Sequence, residues 1–177
     1  MRIRTGTPAD LAAVTAAEAV SFPPAEAAGE ESFRARLAVY PDHFWLLEDE
    51  GRVVAFVDGM ATDEPTLRDE MYCRADLHRE EGAWQMIFGV VTVPEYRRRG
   101  CAAMLLRRAI ADARAQGRRG LVLTCKERLT DYYARFGFRD EGVSPSEHGG
   151  VVWHQMRLEF SPSPQNGGGA ASAGDRP

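Results

Sequence analysis

The sequence predicts an α/β fold in which strands alternate with helices, and three observations carry that expectation. Trp84–Val93 is a nearly continuous apolar run rich in β-branched residues, the pattern of a strand buried on both faces. Beyond the loop Pro94–Gly100, apolar residues fall at Ala102, Leu105, Leu106, Ala109, Ile110 and Ala113, the 3.6-residue stripe of an amphipathic helix. A second apolar run, Leu121–Cys125, is again followed by a helical segment, Arg128–Phe136, so the strand–helix unit recurs.

Taken in order, Arg2-Ile3-Arg4 reads as a short edge strand. Thr7-Pro8-Ala9-Asp10 starts a helix, with Thr7 as N-cap, Pro8 at the first helical position and Asp10 in the first turn. The helix runs to about Val20. Ser21–Gly29, with its Pro23-Pro24, is a loop, and a second helix over Glu30–Val39 stops before Pro41. Phe44–Glu48 and Val53–Asp58 form a hairpin around Asp49-Glu50-Gly51-Arg52. Thr62–Glu81 is polar and irregular, with acidic clusters Asp63-Glu64 and Asp69-Glu70. Gly89 permits a bulge within the central strand. In the following helix Arg107, Arg108, Asp112 and Arg114 take the outer face, and Gly117 stops it. Gly137 ends the later helix before a strand from about Phe138, and Ser144–Gly150 links that strand to a last one over Val151–Phe160. One folded domain over residues 1–160 is expected. The Pro/Gly/Ser-rich residues 161–177 bury too little apolar surface to order and are expected to be a disordered tail.

With 177 residues, 44% of them hydrophobic, a full core is within reach. A net charge of −4 argues against nucleic acid as the main partner. No apolar run reaches membrane-spanning length, and the N-terminus lacks a signal-peptide pattern. Cys73, Cys101 and Cys125 are an odd number without metal-type spacing, so neither a disulfide frame nor a metal site is expected. Reduced thiols fit a cytoplasmic protein. Lys126 is the single lysine among many arginines, the bias of a GC-rich bacterial genome.

The loop carries the clearest chemistry. A helix N-terminus leaves backbone N–H groups unsatisfied at the positive end of the helix dipole, and that combination binds phosphate. Gly100 allows close approach of a ligand to the backbone, Ala102 keeps the first turn free of bulk, and Arg97, Arg98 and Arg99 add positive charge. No Gly-Lys-Ser/Thr follows, and the glycines of a dinucleotide fingerprint are missing.

Arg97-x-x-Gly100-x-Ala102 resembles the pyrophosphate signature of the GNAT superfamily of N-acetyltransferases, Arg/Gln-x-x-Gly-x-Gly/Ala. Downstream, Leu121–Cys125 followed by Tyr133-Ala134-Arg135-Phe136-Gly137-Phe138 resembles that superfamily's next strand and its aromatic helix end. Both motifs occur in order, and the likeness covers roughly residues 2–160. Within the superfamily the chain looks closest to arylalkylamine (serotonin-type) N-acetyltransferases and their bacterial relatives. The resemblance implies a mixed, mostly antiparallel sheet splayed between two central strands, flanked by helices, with acetyl-CoA lying in the splay. It implies that Arg98, Arg99, Gly100, Cys101 and Ala102 hold the pyrophosphate, and that backbone groups around Phe88–Val93, among them Val91, Thr92 and Val93, hold the rest of the cofactor and polarise the acetyl carbonyl.

Tyr133 is the candidate acid. Leu129, Tyr133 and Phe136 share one helical face, so Tyr133 points inward while Tyr132 lies about a hundred degrees away. The resemblance gives it the role of protonating the coenzyme A thiolate; the alternative is a core tyrosine with a satisfied hydroxyl. The animal arylalkylamine enzymes carry two histidines on the central strand to deprotonate the amine, and Met86 and Phe88 stand there instead. His148, Glu70 or a water chain remain as the base. Phe22 and Trp153 fall where relatives place aromatic residues against the acceptor, although either could instead pack in the core. Cys101, in the phosphate loop, and Cys125, expected in the core, give no route through an acyl-cysteine, so direct transfer in a ternary complex is favoured. The expected substrate is a small primary amine, and a monomer or homodimer is expected. The other readings are acetylation of a protein N-terminus or lysine, and a non-catalytic acetyl-CoA sensor.

Overall fold

The computed structural model describes residues 1–161. The central apolar run does not form one strand. It divides at Phe88 into β5 (Trp84–Ile87) and β6 (Gly89–Thr92), and the halves belong to different sheets. β5 runs parallel to β7 (Gly120–Cys125), with Ile87 opposite Leu123 as the last paired residues. β6 turns away and pairs antiparallel with β3 (Arg52–Asp58).

The cause is a bulge. Phe88 and Gly89 both face Asp58: the Phe88 N–H donates to the Asp58 carbonyl at 2.7 Å, and the Gly89 N–H donates to the Asp58 carboxylate. Two residues opposite one kink the strand and increase its twist. Position 89 must be glycine, since a Cβ there would lie 2.8 Å from the Asp58 carboxylate.

Around this break stand two sheets. The first has the order β1–β2–β3–β6, with β1 over Arg2–Thr5 and β2 over Phe44–Asp49, all antiparallel. The second has the order β4–β5–β7–β9–β8, where β4 is Ala61–Thr62, β8 Arg139–Val143 and β9 His154–Glu159, and only the β5–β7 pair is parallel. The expected mixed, mostly antiparallel sheet is thus two sheets that share one broken strand.

Helices α1 (Leu11–Ala19), α2 (Glu30–Val39), α3 (Cys101–Ala115) and α4 (Thr130–Ala134) complete the fold. A 3₁₀ turn over Pro8–Asp10 precedes α1, and Asp10 accepts the Thr7 N–H and hydroxyl while binding Arg4 with both oxygens. Most of the expected α3 stripe is buried: Leu105, Leu106, Ala109 and Ala113 face the core, joined by Cys101, while Ala102 and Ile110 are half-buried. α4 is shorter than its sequence pattern, because a 3₁₀ turn over Glu127–Leu129 precedes it and Gly137, at φ 95°, follows. Thr62–Glu81, expected to be irregular, holds two 3₁₀ turns anchored by buried Leu67, Met71 and Ala75. The tail expected from residue 161 lies, from residue 162, outside the described residues. No helix among the described residues is long and apolar enough to cross a membrane.

One buried ion pair holds the bulge in place. Arg36 on α2 donates from Nη1 to the Asp58 carboxylate at 2.9 Å and from Nη2 to the Tyr72 carbonyl at 2.7 Å, with both side chains at most 4% exposed. Removing one partner of such a pair leaves an uncompensated charge in the interior. Arg36→Leu is therefore expected to lower the unfolding free energy by about 3–5 kcal/mol, measured by denaturant titration, whereas a surface change such as Arg34→Leu should cost under about 1 kcal/mol.

Candidate functional site

A cavity of about 810 Å³ opens where the sheets part, between β6 and β7. Its walls come from all over the chain: the end of α1, the Ser21–Gly29 loop, β6, β7, α4 and the loop between β8 and β9. One edge of β6 faces it unpaired. The Val93 N–H donates to the Val54 carbonyl, so residue 93 turns its backbone toward β3, and alternation turns Val91 the same way. Val90 and Thr92 then present their backbone groups to the gap. In keeping with this, the Thr92 carbonyl accepts Ser21 Oγ and Arg97 Nε, both at 3.3 Å. Of the strand residues expected to meet a ligand, Thr92 has its polar groups on the open edge. Val91 and Val93 do not, and Val90, which the sequence reading did not single out, does.

At the far end of β6 lies the basic loop. Arg98 and Gly100 occupy the left-handed region, at φ 62° and 79°. Turns of this kind bend successive amides into concave anion sites. Gly100 caps α3, whose first internal hydrogen bond runs from the Met104 N–H to the Gly100 carbonyl, so the N–H groups of Cys101, Ala102 and Ala103 lack helical partners. Arg97, Arg98 and Arg99 are exposed, and Arg99 stacks on the Tyr96 ring at 4.8 Å. The Cys101 side chain is buried and donates to the Tyr96 carbonyl, so this residue offers only its backbone.

Tyr133 stands on the opposite wall, contributed by α4. Its ring packs edge-on against Tyr132 and Phe138, and burial pushes its phenol further above the ordinary value. The hydroxyl therefore keeps its proton at neutral pH. Phe136 departs from the shared face expected for it: it packs beside Tyr132 beneath the Arg107 guanidinium. Cys125 is buried in the core, as expected, and also lines the cavity; burial pushes its thiol up to about 11, which makes it a poor nucleophile at neutral pH.

The three acceptor-side candidates come together here. Phe22, His148 and Trp153 all line the cavity. Trp153 precedes β9 rather than lying in it, and its Nε1 donates to the His148 carbonyl at 2.8 Å. The His148 ring lies 5.0 Å from Tyr72 and 6.2 Å from Trp153, and Tyr72 packs 5.0 Å from Phe88, an aromatic wall of four rings. His148 Nε2 donates to the Glu26 carbonyl at 2.9 Å, and Lys126 pairs with the Glu26 carboxylate at 2.9 Å, so both pin the Ser21–Gly29 loop across the cavity. Glu70 is not among the lining residues; it pairs with Arg68 at the surface.

Three cavity carboxylates escaped the sequence reading: Glu26, which holds Lys126, and also Asp58 and Glu18. Asp58 sits beneath the bulge. Glu18, on the last turn of α1, is 6% exposed; its Oε1 accepts the Ala28 N–H at 3.0 Å and its Oε2 has no partner. Burial, and then the nearby Asp58, raise its pKa to about 7, with the Ala28 bond and Arg36 opposing. The signal was the lone charged residue of a helix, Leu11–Ala19, that is apolar apart from Thr15.

A separate cluster, His43, His78 and Glu80, gathers three ligand atoms within 4.8 Å. The Ala61 N–H donates to His78 Nδ1, which leaves the proton on Nε2 facing Glu80, and His43 Nδ1 meets the Gln85 carbonyl oxygen at 2.7 Å. Hydrogen bonds already occupy these groups. Gln85, with Nε2 on two backbone carbonyls, serves this cluster and not the cavity.

The sequence model of the Acetyltransferase (GNAT) family matches residues 11–138. The chain belongs to this family. It is 30% identical over 104 residues to human N-acetyltransferase 8, spanning 57% of this chain and 40% of that one. It is 27% identical over 113 residues to the serotonin N-acetyltransferase of Mesocricetus auratus, spanning 63% of this chain and 53% of the relative. The chain thus spans about half the length, or less, of these curated relatives. Among solved structures, the GphF GNAT-like decarboxylase in complex with isobutyryl-CoA superposes with a TM-score of 0.77 at 22% identity, covering 90% of this chain and 99% of that one. That likeness is one of fold.

The raised pKa of Glu18 has a thermodynamic consequence. Between the ordinary value of 4.5 and about 7 the folded protein holds a proton that the unfolded chain has lost. Stability from this group is full below pH 4.5 and is lost as pH rises toward 7. Relative to Glu18→Gln, the wild-type protein should lose up to about 3 kcal/mol across that window, measured as the pH dependence of the difference in unfolding free energy.

Proposed function

We propose that this chain is an acetyl-CoA-dependent N-acetyltransferase that acetylates a small primary amine by direct transfer in a ternary complex. The observation that carries the reading is the arrangement along the cavity. An unpaired strand edge runs from the bulge to a basic helix N-terminus, and a protonated tyrosine stands on the facing wall. A thioester with a pyrophosphate tail suits that path. The loop amides from Arg98 to Ala102 and the arginines take the anion, the Val90 and Thr92 edge aligns the pantetheine arm, and the acetyl group lies at the bulge. As the C–S bond breaks, Tyr133 gives its proton to sulfur, so no thiolate has to leave uncompensated. A nearby neutral thiol at Cys125 supports direct attack by the amine over an acyl-cysteine route.

The aromatic wall of Tyr72, Phe88, His148 and Trp153, with Phe22 across the cavity, favours an acceptor with a flat apolar body, such as an arylalkylamine. The Ser21–Gly29 loop, tethered over the cavity by Lys126 and His148, favours a small amine over a protein N-terminus or lysine. A sensor that only binds acetyl-CoA has no use for a proton donor at Tyr133.

Two measurements test this reading. Coenzyme A release across a panel of arylalkylamines, polyamines and peptides should be fastest with an arylalkylamine. Tyr133→Phe should lower kcat about 10²- to 10³-fold with acetyl-CoA affinity unchanged; unaltered turnover in that variant would remove Tyr133 as the acid. Gly100→Val, which forces a β-branched residue to φ 79°, should weaken acetyl-CoA binding about tenfold or more, measured by calorimetric titration; unchanged affinity would move the pyrophosphate elsewhere.

A further inference from the structure

An amine in water carries a proton that must leave before nitrogen can attack a carbonyl, and Met86 and Phe88 on the central strand offer no group to take it. The titratable side chains around the cavity differ in how firmly they are committed. Asp58 is held by Arg36 and by the Gly89 N–H. The Glu26 carboxylate is paired with Lys126. Asp69 accepts the Ser146 hydroxyl and the Glu147 N–H. His148 donates Nε2–H to the Glu26 carbonyl and packs its ring into the aromatic wall. Glu18 Oε2 and Glu26 Oε2 are both buried without a partner, but Glu26 holds Lys126 on its other oxygen, whereas Glu18 makes no ion pair among the described residues and has only the Ala28 N–H.

An unpartnered buried carboxylate oxygen is costly, and such atoms are rare in folded proteins. The cost is removed when a ligand brings a donor. The position is specific: Glu18 lies close enough to Asp58 to feel its charge, and Asp58 in turn grips Gly89 at the bulge. Glu18, Asp58, Phe88 and Gly89 line the same cavity, so Glu18 belongs to the end of it where the acetyl group sits in the reading above. An ammonium group is the donor that reading supplies there.

We propose that Glu18 is the catalytic base that takes the proton from the ammonium group of the acceptor, an inference that rests on the N-acetyltransferase reading. In the step, the Glu18 carboxylate accepts one proton and leaves a neutral amine. The nitrogen lone pair forms the C–N bond, and the C–S bond breaks with its electron pair going to sulfur. Tyr133 protonates the sulfur and is restored by the second proton released from nitrogen. Of the two protons lost by the nitrogen, one ends on coenzyme A and the other leaves from Glu18 to solvent. The charged groups that act on Glu18 are Asp58 from β3, which favours its protonated form, and Arg36 from α2, which opposes it. A carboxyl group poised near 7 can both accept a proton and release it at neutral pH.

The test is the pH profile of kcat/KM for coenzyme A release with the best amine of the panel, from about pH 5.5 to 9.5, for wild type, Glu18→Gln, Glu18→Asp and His148→Asn. The Gln variant keeps an oxygen for the Ala28 N–H and so preserves the fold contact; its thermal unfolding is recorded alongside. Wild type should show a rising limb near pH 7. Glu18→Gln should be slower by about 100-fold or more, lack that limb, and keep the wild-type KM for acetyl-CoA. Glu18→Asp should retain the limb with reduced amplitude. Activity of Glu18→Gln within about threefold of wild type, or loss of the limb in His148→Asn while it persists in Glu18→Gln, would overturn the assignment. Failure of the transferase reading itself looks different: wild type would then release no coenzyme A with any amine at any pH.

Discussion

The site depends on how one aspartate is bonded. Asp58 accepts a backbone N–H through its carbonyl and the next one through its carboxylate, so two residues of the central strand are matched to one of β3. β5 stays with β7 while β6 swings to β3, and the space between β6 and β7 is created by that divergence and not by missing side chains. A carboxylate in the interior needs a counter-charge, which Arg36 provides from α2. The guanidinium also reaches the Tyr72 carbonyl and lies over the Phe88 ring at 4.9 Å, so the aromatic wall is fixed by the same group that fixes the strand break. Strand, helix and wall share one electrostatic origin.

The chemistry of the two ends follows from opposite uses of solvent. At the loop, exposed arginines and free amides meet water and would meet a strongly hydrated anion. Around the bulge, burial shifts four proton equilibria toward the neutral form: Tyr133 and Tyr72 hold their phenol protons, Cys125 its thiol proton, and Glu18 is carried toward neutrality. Of these groups only Glu18, carried to about 7, has neither protonation state strongly preferred at neutral pH, while the phenols and the thiol are held as proton donors.

Much of this was legible in the chain because it rests on local pattern. The helix stripe from Ala102 to Ala113, the glycine at its N-terminus and the inward phase of Tyr133 are properties of neighbours within a few turns. Phe22 and Trp153 reached the cavity through a family likeness, which encodes tertiary position indirectly, and His148 as one of the few remaining side chains able to act as a base. What escaped was long-range or compensated. The strand break shows no hydrophobic interruption, since Phe88 is itself apolar; only Gly89 hinted at it. Val90 and Val91 look alike in sequence, and their different roles follow from register against β3. Glu18 reads as an ordinary helix residue until α1 is placed against Asp58, and Glu70 looked a plausible base until its surface pairing with Arg68 was seen.

The loop over the cavity has a consequence for how the protein assembles. Lys126 reaches Glu26 across 100 residues of chain and His148 reaches it across 122. Contacts so distant in sequence carry the largest loop-closure entropy and form only after both sheets have brought their ends together. They rest on two polar bonds at a partly exposed surface, so they belong to the least protected part of the structure. The end of the cavity beneath this loop is then the last region to close during folding and the first to open in the native state. A small molecule can enter by that local opening while the sheets and the loop at Gly100 stay intact.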